Sequence, residues 1–274
     1  MTNRTSAFSL VTPALLLYLF LLVGPLCLLL HQSLFSAGPD GSKFTLEFYR
    51  ALFSESFIRS LFDTFRISVI ATCIATSLGF LMAYHLIRHS GRRMRNVWLN
   101  IIVSILFLSL LIRVYALLLT FSGGGFIGFA AALIGVSSTS RGLTEALVVM
   151  GLLNFTIPLV ILSLLGPIEN INPKLMDAAQ TLGAPYWKAF LTIDTALAAP
   201  SLLSIAIVTF SLCMSAFLIP MILGRGFVQF VSNLIYVRFE EVFDPSAGAA
   251  MAVVMLLITL AIIYGVQRAL RVRA

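Results

Sequence analysis

Nucleotide hydrolysis and metal binding need residues in fixed patterns, and this sequence lacks those patterns. Each of its three lysines, Lys43, Lys174 and Lys188, follows a residue other than glycine. The glycine-rich loop that cradles phosphates beside a Gly-Lys pair therefore cannot form. The cysteines and histidines are scattered and match no metal or redox spacing. We expect no catalytic residue, no cofactor and no metal site in this chain. If the protein moves anything against a gradient, the energy must come from another chain or from an ion gradient.

A polar segment over about 168–196 is the best candidate for specific binding. Asn172 suits the N-cap of a short helix, and Pro173 suits its first position. Gly183 suits the position just past the helix end, and Pro185 prevents continuation. The pattern predicts a helix over 173–182, about 15 Å long.

One face of this predicted helix is apolar and shallow. Leu175, Ala178, Ala179 and Leu182 recur at i, i+3, i+4 and i+7. The alanines let a partner surface approach closely, and Asp177 lies on another face, free to meet a polar partner. The narrow apolar stripe favours docking on a protein over lying on lipid.

Polar and helix-bending residues inside apolar segments form a second set of candidates. Those proposed for a translocation path or gate are Arg113, Asn154, Pro158, Ser215 and Pro220. Asn154 either makes a hydrogen bond between helices or lies on the solute pathway. Arg113 either snorkels to the membrane interface or forms an ion pair that positions an outer gate. Asp63 and Arg66 are i, i+3 neighbours and are expected to pair with each other.

The composition indicates the elements that must position these residues. The chain has 274 residues, of which 59% are hydrophobic and 11% charged, whereas soluble domains average about 25% charged. A soluble enzyme and a disordered chain are both excluded. Six segments reach the length of about 20 apolar residues that crosses a bilayer. They are about Leu10–Leu34, Leu61–Ile87, Val97–Phe121, Leu143–Pro167, Leu197–Leu223 and Ser246–Val266. We predict an all-α integral membrane protein, with six transmembrane helices in one domain over 1–274.

The net charge of +7 is interpreted as a topology signal, not as a nucleic-acid footprint. Arg88, Arg92, Arg93 and Arg95 cluster in one short loop beside two spans, and such clusters stay in the cytoplasm. Six spans then place both termini in the cytoplasm.

The polar segment resembles the EAA loop of ABC importer permeases, the inner-membrane subunits of binding-protein-dependent transport. The resemblance is carried by Asp177-Ala178-Ala179, by Gly183 four residues after Ala179, and by Ile193 and Pro200. The chain departs from the family pattern at two places. Asp177 replaces the usual Glu, and Thr195-Ala196 stands where Leu-Pro is usual.

Three further segments are similar to the polyamine-type branch of these permeases. They are Arg113-Val114-Tyr115-Ala116, Phe217 to Pro220 with Leu223-Gly224, and Ile235 to Phe239 followed by Gly248-Ala249-Ala250. Related permeases for ferric iron, thiamine, opines and phosphonates share such features, so these substrates stay open.

The resemblance implies the type I ABC importer permease fold and a bacterial inner-membrane location. It implies that Asp177, Ala178, Ala179, Leu182 and Gly183 belong to a coupling helix that docks on an ATP-binding subunit. The implied partners are two ATP-binding subunits that hold ATP and Mg, a second, different permease subunit, and a periplasmic binding protein. An ion-gradient-driven secondary transporter and a non-transporting scaffold are the alternatives from other classes.

Overall fold

The structure, a computed structural model, describes residues 4–38, 41–45, 47–52, 54–121 and 140–271. Its contacts divide the chain into two compact units. One unit comprises Met1–Arg59 and Val231–Ala274, and the other comprises Ser60–Phe230.

The described elements are nearly all helices. In chain order they are α1 (Arg4–Leu34), β1 (Phe35–Gly38), β2 (Gly41–Phe44), α2 (Glu47–Ala51), α3 (Glu55–Arg88), α4 (Arg92–Phe107), α5 (Leu110–Phe121), α6 (Arg141–Glu169), α7 (Lys174–Thr181), α8 (Tyr186–Ala189), α9 (Thr195–Met214), α10 (Leu218–Leu223), α11 (Val231–Tyr236) and α12 (Pro245–Arg271). Two π-helical turns, Phe190–Asp194 and Val237–Glu241, follow α8 and α11.

In the first unit, α12 is the common packing partner. The helices α1, α2 and α11 each contact it. Helix α1 exposes large apolar side chains along its length, such as Phe20 at 77%, as expected of a surface that faces lipid. The antiparallel hairpin of β1 and β2 pairs Phe35 with Phe44 at its open end. This hairpin is an addition to the all-α prediction.

In the second unit, α6 is the central helix. It contacts α4, α5, α9 and α10, and it supplies several fully buried side chains, among them Leu147, Leu152, Ile161 and Leu164. Its N-terminus is capped by Ser140, whose Oγ accepts a hydrogen bond from the Leu143 N–H at 3.3 Å. Four other helices of this unit therefore pack against α6.

The third predicted span is not one straight helix. It forms α4 and α5, whose axes differ by 91° across a short break. Leu108 at the break is extended, with φ −67° and ψ 132°. No glycine or proline lies at this break, so the local sequence does not predict the bend. Helix α5 instead follows its contacts with α6 and α10.

The fifth predicted span is also divided into two helices. The helix stops at Met214 and a separate helix, α10, begins at Leu218. Pro220 lacks the N–H that a continuous helix would use, and proline is tolerated within a first turn. The break places Pro220 in the first turn of α10, so the predicted span over about 197–223 is divided between α9 and α10.

The helical prediction is confirmed for the described residues. Five helices are long and apolar enough to cross a membrane by length and composition, and the bent pair α4–α5 makes a sixth candidate.

The absence of a side chain at Gly79 permits close packing between α3 and α6. A Cβ built there would lie 2.9 Å from Val160 Cβ, and the branched valine cannot rotate away. Gly79→Ala should destabilise the protein by about 1–3 kcal/mol through overpacking, seen as a lower thermal unfolding temperature in detergent. Gly166→Ala is the matched control, because none of the described atoms lies within 4 Å of its built Cβ. Equal effects of the two substitutions would contradict the packing argument.

Candidate functional site

The polar segment forms the short capped helix that its sequence predicts, here α7. Asn172 Oδ1 accepts a hydrogen bond from the Lys174 N–H at 3.0 Å, the N-cap arrangement. Gly183 has φ +87°. The Gly183 N–H donates to Gln180 O at 2.9 Å and the Ala184 N–H donates to Ala179 O at 3.0 Å. This pair of bonds is the Schellman motif, so both ends of the helix are closed by local chemistry.

Most of the predicted docking residues lie at the surface. Leu175 is 44% exposed and Leu182 is 88% exposed. Asp177, Ala178 and Gly183 are also exposed, and Ala179 is half-buried. Met176 points the other way and is 8% exposed. Helix α7 is thus anchored on one side while the predicted apolar face stays open.

Two aromatic residues extend this open surface, and sequence reasoning missed them. Tyr186 is 45% exposed and Trp187 is 65% exposed, directly after Pro185. An exposed tryptophan and tyrosine pair is typical of protein interfaces, where both residues are enriched. Their position just after the capped helix was the signal that could have identified them.

A buried polar cluster lies where α3 ends. Tyr84 donates a hydrogen bond to Asp194 Oδ2 at 2.7 Å, and Arg88 Nη2 lies 3.8 Å from Asp194 Oδ1. The Asp194 residue is 1% exposed. The sequence prediction did not single out this cluster. A lone carboxylate at the start of an apolar run was the available signal.

The structure joins two of the predicted pathway residues. Arg113 Nη1 donates to Asn154 Oδ1 at 3.2 Å and to Asn154 O at 3.3 Å. Arg113 is only 8% exposed, and its role at the membrane interface or at an outer gate stays a prediction. The pair links α5 to α6, and it is the helix-to-helix hydrogen bond that was one of the two interpretations of Asn154. Asn154 is itself exposed on the surface of the chain.

The other pathway candidates lie on α6 and around the break before α10. Pro158 is buried in α6 and Pro220 is buried in α10. Ser215 is exposed, and its hydroxyl donates to Leu212 O at 3.2 Å. A contact of these three residues with a solute stays a prediction.

A second ion network connects α3 to the start of α6. Arg141 Nη2 lies 2.9 Å from both carboxylate oxygens of Asp63, and Arg141 Nε lies 3.0 Å from Glu145 Oε1. Arg66 Nη2 lies 2.6 Å from Glu145 Oε2 but 3.8 Å from Asp63 Oδ1. The expected Asp63–Arg66 pair is therefore secondary, because the stronger partners come from the other helix.

Metal ligation has no support in the described part of the chain. Over those residues, no group of three or more His, Cys, Asp or Glu side chains is placed to hold an ion.

Comparison with known families gives one broad match. Residues 75–274 match the family described as binding-protein-dependent transport system inner membrane component.

Curated relatives point to the same kind of protein. The spermidine/putrescine transport system permease protein PotB of Escherichia coli (strain K12) is 26% identical over 226 residues, which is 82% of this chain and 80% of PotB. PotB of Haemophilus influenzae is 25% identical over 237 residues, which is 84% of this chain and 82% of that protein.

A solved structure shares the fold. A bacterial ABC transporter that imports the acidic polysaccharide alginate aligns with a TM-score of 0.79 at 18% identity, covering 97% of this chain and 94% of that one. The predicted ABC importer permease fold is confirmed by this likeness.

Proposed function

This chain belongs to the family of binding-protein-dependent transport system inner membrane components, and from that premise we propose how it works and what it carries. It is a multi-pass membrane protein, a permease subunit of an ABC importer and not an enzyme. The proposed solute is a polyamine or a related small organic cation. It is delivered by a periplasmic binding protein and moved by alternating access.

The observation that carries the proposal is the capped helix α7 with its open face. A helix of eight residues is marginal alone in water, yet this one is closed at both ends and anchored through Met176. Its exposed Leu175 and Leu182 flank the small Ala178, a shape that suits a cleft in a partner. We assign Asp177, Ala178, Ala179, Leu182 and Gly183 to docking on an ATP-binding subunit.

Energy comes from the partners in this proposal. Two ATP-binding subunits hold ATP and Mg, and a second, different permease subunit completes the membrane part. ATP binding closes the ATP-binding pair, and α7 transmits that movement to the spans. The spans then alternate between two states, and each state exposes the solute to one side of the membrane.

The polyamine preference is supported by the PotB relatives, which are named for spermidine and putrescine.

Both termini and the Arg88–Arg95 cluster are assigned to the cytoplasm, because basic clusters in short loops remain inside. Helix α7 then lies on the same side as the ATP-binding subunits, as docking requires.

Transport by the complex tests the proposal. The complete complex in proteoliposomes should take up labelled spermidine only with ATP inside and the binding protein outside, and this subunit alone should show no ATPase activity. Uptake that follows a proton or sodium gradient without ATP would contradict the proposal. ATP-driven uptake of another solute with no uptake of spermidine would contradict only the polyamine assignment.

A further inference from the structure

The last turns of α3 hold both ends of the loop that carries α7. Before the loop's helix, Arg88 Nη2 donates to the backbone oxygen of Ile171 at 2.8 Å. After it, the same nitrogen lies 3.8 Å from Asp194 Oδ1. One side chain at the end of α3 therefore faces a residue on each side of the coupling helix.

Tyrosine side chains add a second connection to the same place. Tyr186 donates to the Tyr84 hydroxyl at 3.3 Å, and Tyr84 donates to Asp194 Oδ2 at 2.7 Å. The Tyr186 hydroxyl also lies 3.3 Å from His89 Nε2. The start of α8 and the π-helical turn that ends at Asp194 are thus both bonded to α3.

Aromatic packing encloses this hydrogen-bond chain. The Tyr84 ring lies 4.7 Å from the Phe190 ring, edge to face, and Phe80 stacks on Phe190 at 5.8 Å. Phe190 begins the same π-helical turn that Asp194 ends. The Tyr84–Asp194 hydrogen bond is therefore shielded from water, which strengthens it.

Asp194 is a buried carboxylate, an unusual environment for an acidic side chain. It is 1% exposed, and none of the described residues donates a hydrogen bond to its Oδ1. A buried carboxylate is costly unless it is paired. Its neighbours are the Tyr84 hydroxyl and the Arg88 guanidinium, and both belong to α3.

We propose that Asp194 is a positioning residue that makes the coupling loop and the last turns of α3 move as one body. The carboxylate joins the loop to α3 through Tyr84 and Arg88, so a displacement of α7 reaches a membrane span directly. This inference rests on the proposed docking of α7 but not on the identity of the solute.

A distance measurement tests the inference without a solute. Spin labels at Lys174→Cys and Leu81→Cys, in a background free of native cysteines, report on α7 and α3; both positions are exposed. In the complete complex, we expect one narrow distance distribution that is the same with and without ATP and vanadate. Asp194→Asn and the milder Tyr84→Phe should broaden it or make it change with nucleotide. A distribution that changes with nucleotide in the unsubstituted complex would overturn the inference.

A transport measurement separates positioning from a merely structural role. With spermidine as the probe, complexes that contain either variant should assemble and hydrolyse ATP within about twofold of the parent complex. The amount of spermidine moved per ATP should fall roughly 2- to 30-fold, the range of coupling carried by single residues in a packed network. Glu169→Gln is the control, since Glu169 is a carboxylate before the same helix but 63% exposed. An unchanged ratio of transport to hydrolysis in both variants would also overturn the inference. Failure of the parent complex to carry spermidine would contradict only the polyamine assignment, and the distance measurement would still decide.

Discussion

Replacing Gly183 with valine should reduce solute uptake by the complex at least tenfold while the subunit still inserts into the membrane. Gly183 ends α7 with φ +87°, a left-handed conformation that costs an ordinary L-residue about 1–2 kcal/mol and a β-branched residue more. Valine would open the C-terminal cap and shift the exposed docking face. ATP-driven uptake in proteoliposomes measures the effect, and immunodetection in membranes measures insertion.

Gly183→Asn separates backbone conformation from side-chain bulk. Asparagine tolerates the left-handed region, and none of the described atoms lies within 4 Å of a Cβ built at Gly183. If the cap conformation matters, Gly183→Asn keeps most of the uptake that Gly183→Val loses. Equal loss in both variants would show that side-chain bulk at the partner surface matters and the conformation does not.

Removing the Asp63 carboxylate should destabilise the complex by about 2–3 kcal/mol. The Asp63 side chain is 5% exposed and holds Arg141, which is 35% exposed. Losing one member of a fully buried pair costs about 3–5 kcal/mol, and partial exposure of the partner reduces that figure. In Asp63→Ala, Arg66 and Arg141 would share the single carboxylate of Glu145. Thermal unfolding of the complex in detergent gives the change.

An exposed pair on the same chain is the control for Asp63. Glu169 is 63% exposed and lies 3.4 Å from Arg95, so Glu169→Ala should change stability by no more than about 1 kcal/mol. If Asp63→Ala were no more destabilising than Glu169→Ala, the network between α3 and α6 would not hold these helices together.

Helix α7 was predictable because its signals are local. Asn172 caps the helix by accepting from an N–H two residues ahead. The N–H groups of Gly183 and Ala184 close its other end on carbonyls three and five residues back. Such contacts depend only on short-range geometry. The sequence prediction of 173–182 and the observed Lys174–Thr181 with its caps therefore agree closely.

The ion pairs were not predictable in the same way. Arg141 and Asp63 are 78 positions apart, and Tyr84 and Asp194 are 110 positions apart. Nearest neighbours in sequence suggested Asp63 with Arg66, but the packing of α3 beside α6 supplies closer partners. The bend between α4 and α5 is of the same kind, because long-range contacts set it.

The sequence by itself determined that this protein is a helical membrane permease with a capped loop helix. Apolar length, basic clusters and caps act within a span or a turn, so each is visible along the chain. Only the tertiary structure decided which side chains meet: Arg113 with Asn154, Asp63 with Arg141, and Asp194 with Tyr84. A buried charge must find its partner wherever packing brings one near, and packing joins residues that are remote in sequence.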